Sequence, residues 1–139
     1  TIQRAGCSGY IETPSPMAEL TRGVDSSLNA HRGYRHHRWL LWSHQGTLYV
    51  LPKYSLVELI DQLDCDDLLA SPLFWNTYHA WEGPLDYRVL QHERDFDLAA
   101  MLDGRYFEYE RLLRLAVVQS MESCRQFWSV LSPQVELVP

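Results

Sequence analysis

Lysine is nearly absent from this sequence. Of its twelve basic residues eleven are arginine, and Lys53 is the one lysine. Lysine-based nuclease, kinase or Schiff-base chemistry therefore has a single residue to draw on. Cysteine is scarce too: Cys7, Cys65 and Cys124 are odd in number, far apart, and form no C-x-x-C. That argues against a disulfide framework and against a cysteine-held zinc site, and fits reduced thiols in a cytoplasmic protein. No stretch approaches the run of about 18 apolar residues that spans a membrane, and no basic start followed by an apolar segment marks a secretory leader. The expected location is cytoplasmic, with no membrane attachment. The phosphate-cradling patterns G-x-x-x-x-G-K-[ST] and G-x-G-x-x-G are missing, as are G-x-S-x-G and H-E-x-x-H. None of the six histidines (31, 36, 37, 44, 79, 92) stands at a metal-ligand spacing, so no metal or other cofactor is expected.

What is there suits one globular domain over residues 1–139. Apolar residues make up 46% and charged residues 22%, a balance that can bury a core. Five Trp, eight Tyr and four Phe supply large side chains for that core or for a binding surface. The net charge of −6 is unevenly spread. Residues 58–110 hold thirteen acidic and three basic side chains, whereas residues 1–57 hold six basic and three acidic. Such segregation bears on partners and association rates. The arginine bias favours forked, planar contacts to carboxylates or phosphates.

Residues 1–14 read as irregular. Ser15-Pro16 sets an N-cap and a first helical residue, with Met17, Leu20, Val24 and Leu28 following at helical spacing. Residues 39–43 and 47–51 are aromatic and β-branched runs around His44-Gln45-Gly46, which predicts a β-hairpin over about 38–52. Both faces of each strand are apolar, so cover on both sides is expected, from helices or a second subunit. Ser55 followed by Glu58 forms a capping box that predicts a helix over 56–64. Ser71-Pro72 predicts another, with Phe74, Trp75, Tyr78 and Trp81 inward and Gly83-Pro84 as its stop. Residues 85–90 suit a third strand, and 95–102 a short helix. Residues 105–131 keep Tyr109, Leu113, Val117, Cys124 and Phe127 on one face, which predicts a helix about 40 Å long. The expected fold is α+β: a small antiparallel sheet built on the hairpin, packed by four or five helices.

Four groups are candidate sites. Arg35, His36, His37 and Arg38 could hold a phosphate through guanidinium forks, with a histidine moving a proton. RNA-cutting folds place an Arg and a His at spacings like Arg32 to His37 or Arg38 to His44, although on a packed helix. The plainer reading is a solvated loop whose arginines pair with the acidic middle of the chain. Asp61, Asp64, Asp66 and Asp67 could hold a divalent cation, but the EF-hand glycine and closing glutamate are missing, so a solvated acidic face is the simpler account. The acidic stretch 58–110 as a whole could face a basic partner. Trp39, Trp42, Trp75, Tyr78 and Trp81, with His79, could line an apolar pocket, or be core.

Taken together, these features favour a non-catalytic interaction protein over an enzyme: an inhibitor, immunity protein or adaptor with a basic protein partner, forming a homodimer. One alternative is a phosphate- or nucleic-acid-binding protein, or RNA-processing enzyme, using Arg35–Arg38. The negative net charge weighs against a polyanion. Another is an apolar-ligand protein with an aromatic pocket.

Overall fold

A computed structural model describes residues 8–25, 31–60, 63, 72–90 and 105–131, with side chains over 108–130 in the last segment. Among these residues five strands and two α-helices make a mixed α+β arrangement with small, mainly antiparallel sheets and one long C-terminal helix. In chain order they are β1 (Ser8–Pro14), α1 (Pro16–Leu20), β2 (Trp39–His44), β3 (Thr47–Pro52), β4 (Asn76–Glu82), β5 (Tyr87–Val89) and α2 (Arg105–Leu131). Short 3-10 turns occupy Ser55–Leu59 and Pro72–Phe74.

The hairpin forms as its sequence predicts. Gln45 and Gly46 both take positive φ, +49° and +80°, the signature of a two-residue type I′ turn matched to strand twist. This fixes His44 opposite Thr47 and Trp42 opposite Tyr49. The two rings stack at 5.4 Å, and Leu40 and Leu51 lie opposite each other, both fully buried. Each face meets another element of the chain. On the Trp42 face, the indole Nε1–H donates to Gln119 of α2 at 2.9 Å. On the other face, Ser43 hydrogen-bonds His79 of β4 at 2.9 Å. β5 joins β3 in parallel, Leu48 opposite Tyr87 through Val50 opposite Val89.

Several sequence expectations are corrected. Among the described residues there are two α-helices rather than four or five. Residues 76–82 are a strand, antiparallel to 8–14 from Ser8 opposite Glu82 to Pro14 opposite Asn76. Their aromatics fit a helical period, but Thr77 and His79 are the buried pair at a period of two. The ladder that settles the matter comes from residues some 65 positions earlier, in a segment read as irregular. At 55–59 the capping box does not form. Tyr54 is the N-cap, without a side-chain bond, and the chain turns extended at Ile60. Ser15 does cap α1, accepting from the Ala18 N–H at 3.2 Å. The helix ends at Leu20, however, because Thr21 is extended and donates its hydroxyl back to the Met17 carbonyl. The helix expected over 95–102 lies outside the described residues.

α2 runs its full expected length. Its buried stripe is Tyr109, Leu113, Ala116, Val117 and Cys124, joined in one core with Met17, Leu20, Leu40, Trp42, Leu51, Leu56, Val57, Ile60 and Phe74. Burying one such aliphatic side chain contributes about 1.5–3 kcal/mol. Tyr109 ties the helix to the end of the hairpin, its hydroxyl donating to the Pro52 carbonyl at 2.7 Å and accepting from the Tyr54 N–H at 3.1 Å. Glu110 and Arg114 pair across one turn, as their spacing implies. Among the described residues no helix is long and apolar enough to cross a membrane.

Candidate functional site

The link from α1 into β2 carries the Arg-His cluster, and its shape is set by buried charge beneath it. Glu19, in the last turn of α1, is only 2% exposed. Its carboxylate accepts from the Lys53 ammonium at 3.0 Å and from the Tyr34 N–H at 3.4 Å, and holds His37 Nδ1 in a short hydrogen bond. Lys53 spends its other two donors on the carbonyls of Arg32 and Tyr34, at 3.0 and 3.2 Å. Arg32, 1% exposed, donates to the Leu20 and Ile60 carbonyls, both at 2.6 Å. A carboxylate, an ammonium and a guanidinium thus replace secondary structure as the frame of this loop. Gly33 is needed where the loop crosses α1: its φ is +60°, and a Cβ there would sit 2.1 Å from the Glu19 carbonyl oxygen.

On this frame the cluster residues part company. His37 is anchored and half-buried, one ring nitrogen committed to Glu19. His36 packs edge-on against it, ring centroids 4.4 Å apart. Arg35 and Arg38 are exposed, and among the described residues neither guanidinium has a hydrogen-bond or ion-pair partner. The nearby carboxylates among the described residues are already engaged. Glu19 serves Lys53 and His37; Glu58 accepts from Arg22 and from the Arg32 N–H, with His31 3.6 Å away. The sequence reading in which Arg35 and Arg38 pair with acidic residues of the middle segment has no counterpart among the described residues.

Two clefts flank this link. The larger, about 460 Å³, is lined by Glu12, Thr13 and Pro14 of β1, Glu19, and His36, His37, Arg38, Trp39 and Leu41. The smaller, about 230 Å³, has Arg35, His37, Arg38, His31 and Lys53 in its wall, with Glu58. His37 and Arg38 line both and form the ridge between them. The larger volume lies in the range typical of small-molecule sites.

The RNA-cutting arrangement is not assembled. Arg32 is consumed by backbone carbonyls, so it cannot serve a scissile phosphate beside His37. Arg38 and His44 stand at opposite ends of β2, about 20 Å apart along an extended strand. His44 faces Glu122 of α2 instead, at 3.8 Å.

The aromatic group disperses. Trp42 is core. Tyr78 stacks on Phe127 of α2 at 4.1 Å. Trp81 lies across Gly9 of β1, where a Cβ would come within 2.3 Å of the indole. Trp75 and Trp39 are 36% and 48% exposed, and of the five Trp39 lines the larger cleft. Asp61, Asp64, Asp66 and Asp67 lie outside the described residues. Among the described residues no three His, Cys, Asp or Glu side chains come together as a metal site.

A second buried polar pair joins the sheets. His79, 2% exposed, bonds Ser43 through Nδ1, and its Nε2 has no hydrogen-bond partner among the described residues. Burial pushes its pKa below the ordinary histidine value, and the Asp86 carboxylate partly offsets this. Burial moves Cys124 the other way, raising its thiol to about 11, and the thiol donates to the Asn76 carbonyl, which makes it an inert core residue.

Sequence reasoning overlooked Glu19, Lys53 and Arg32 as the frame of the site, and Glu12 as part of its wall. The one available signal was the solitary Lys53 straight after the hairpin. No family model matches this chain, and neither a curated protein nor a solved structure does.

Proposed function

We propose that this protein binds, without catalysis, a ligand carrying a phosphate-class anion, through Arg35 and Arg38. The observation that carries this reading is the pair of exposed guanidiniums on the walls of the two clefts, with no ion-pair partner among the described residues, on a loop held by the buried Glu19–Lys53 pair and by Arg32. Guanidinium forks match phosphate oxygens in geometry, and a loop fixed beforehand loses little entropy when the ligand arrives. His37 is oriented by Glu19 and supplies one more polar atom to the ridge.

Titration calorimetry with ribose 5-phosphate tests the reading. Binding should weaken between 50 and 200 mM salt and disappear in Arg35→Ala/Arg38→Ala. Absence of binding by the unmodified protein at millimolar ligand would sink it. A second reading, supported by the charge segregation, is that the acidic stretch 58–110 docks a basic protein. There, reversing Asp64, Asp66 and Asp67 to Lys should slow association with a captured partner and weaken its salt dependence.

A further inference from the structure

The two clefts differ in character, and the difference specifies more than an anion. The smaller one is lined by the exposed guanidiniums of Arg35 and Arg38, beside Lys53, which is already paired with Glu19, and the carboxylate of Glu58. The larger one combines aromatic side chains with a carboxylate. Trp39 and His36, both exposed, line it. Besides the engaged Glu19, the carboxylate of Glu12 lines it too. Its two oxygens already accept from Asn76 at 2.7 Å and from the Tyr10 hydroxyl at 3.4 Å, which fixes the carboxylate while leaving further lone pairs. A phosphate in the larger cleft would meet Glu12. A planar, neutral group with N–H donors would be received there by ring stacking and a carboxylate acceptor.

One class of small molecule has both halves, a flat N–H-bearing ring system joined by a short linker to a phosphate. From this juxtaposition we infer that the ligand is a mononucleotide. Its base lies in the larger cleft against Trp39 and His36, with its amino edge toward Glu12. Its phosphate crosses the His37–Arg38 ridge to Arg35 and Arg38. Stacking on an aromatic side chain is indifferent to base identity and adds affinity beyond the phosphate term. The net charge of −6 disfavours a long polyanion and fits a free nucleotide. This inference rests on the anion reading above and extends it.

The experiment compares ribose 5-phosphate, AMP and a ten-nucleotide oligoadenylate by calorimetry on the intact chain. AMP should bind about tenfold or more tighter than ribose 5-phosphate. Trp39→Leu should erase that difference while leaving ribose 5-phosphate affinity in place, and Trp39→Phe should restore part of it. Arg35→Ala/Arg38→Ala should weaken both ligands. Trp39 is half-exposed at the start of β2, so these variants should fold; Glu12→Gln offers an independent check, weakening AMP and not ribose 5-phosphate. Equal affinity for the two small ligands would overturn the nucleotide assignment and leave the anion reading standing. Failure of both to bind would overturn the two together. Oligoadenylate binding more tightly than AMP would overturn the choice of a free nucleotide.

Discussion

The charged frame under the 34–38 link lends itself to a quantitative test through Glu19. In Glu19→Gln the side-chain shape is kept and the charge removed, leaving the Lys53 ammonium, 7% exposed, without its counterion. Removing one partner of a buried pair costs about 3–5 kcal/mol, because the remaining charge stays buried and uncompensated. Lys53 keeps its bonds to the Arg32 and Tyr34 carbonyls, which places the loss at the low end, about 3 kcal/mol. For a chain of this size that is roughly a 10 °C drop in Tm. The assay is urea unfolding followed by tryptophan fluorescence and far-ultraviolet circular dichroism. The double variant Glu19→Leu/Lys53→Met removes both charges and should lose less than the two single variants together, by about 2 kcal/mol or more. Strictly additive losses, or a Glu19→Gln protein within about 0.5 kcal/mol of the original, would refute the account of Glu19 and Lys53 as one buried unit.

Other outcomes follow from the same geometry. His79 has a lowered pKa in the folded protein, so the unfolded chain takes up its proton first. Stability from this group is complete above the ordinary histidine value near 6.5 and declines as pH falls below it. Urea midpoints from pH 7.5 to 5 should show that slope, and His79→Gln should flatten it. Gly33→Ala forces a Cβ into the Glu19 backbone at positive φ and should cost about 2 kcal/mol or more, measured by the same unfolding assay. Tyr109→Phe leaves the Pro52 carbonyl and the Tyr54 N–H without their partner, and should cost about 1–3 kcal/mol. Hydrogen exchange at Tyr54 should rise with it.

The parts legible in the sequence are those whose determinants are local. Gln45-Gly46 between two apolar runs specifies its own turn, and the strand register follows. Ser15-Pro16 caps α1, and twenty-seven residues with an apolar stripe make α2. Residues 76–82 read as helical because Phe74, Trp75, Tyr78 and Trp81 satisfy a helical period by chance, while their true partner strand is remote. Side chains that fit a pleated, half-buried surface settle into whichever ladder tertiary structure provides. The site was half legible. Four adjacent Arg and His residues are legible as a cluster, but their division into one anchored histidine and two arginines without a partner among the described residues depends on Glu19, Lys53 and Arg32. Charged residues are ordinarily read as surface, and nothing local marks these three as buried.

The pairing of β1 with β4 also dictates an order of assembly. The hairpin closes over two residues, an event of microseconds. Pro14 and Asn76, by contrast, are neighbours in a ladder that must close a loop of some sixty residues. Such closures set slow folding rates. During synthesis β1 emerges first and waits, its N–H and C=O groups unpaired, until β4 has been made. The hairpin with its buried Leu40 and Leu51 is therefore the expected early nucleus, and the β1–β4 ladder the late step. Substitutions in β1 should chiefly speed unfolding, while those at the Gln45-Gly46 turn should slow folding itself.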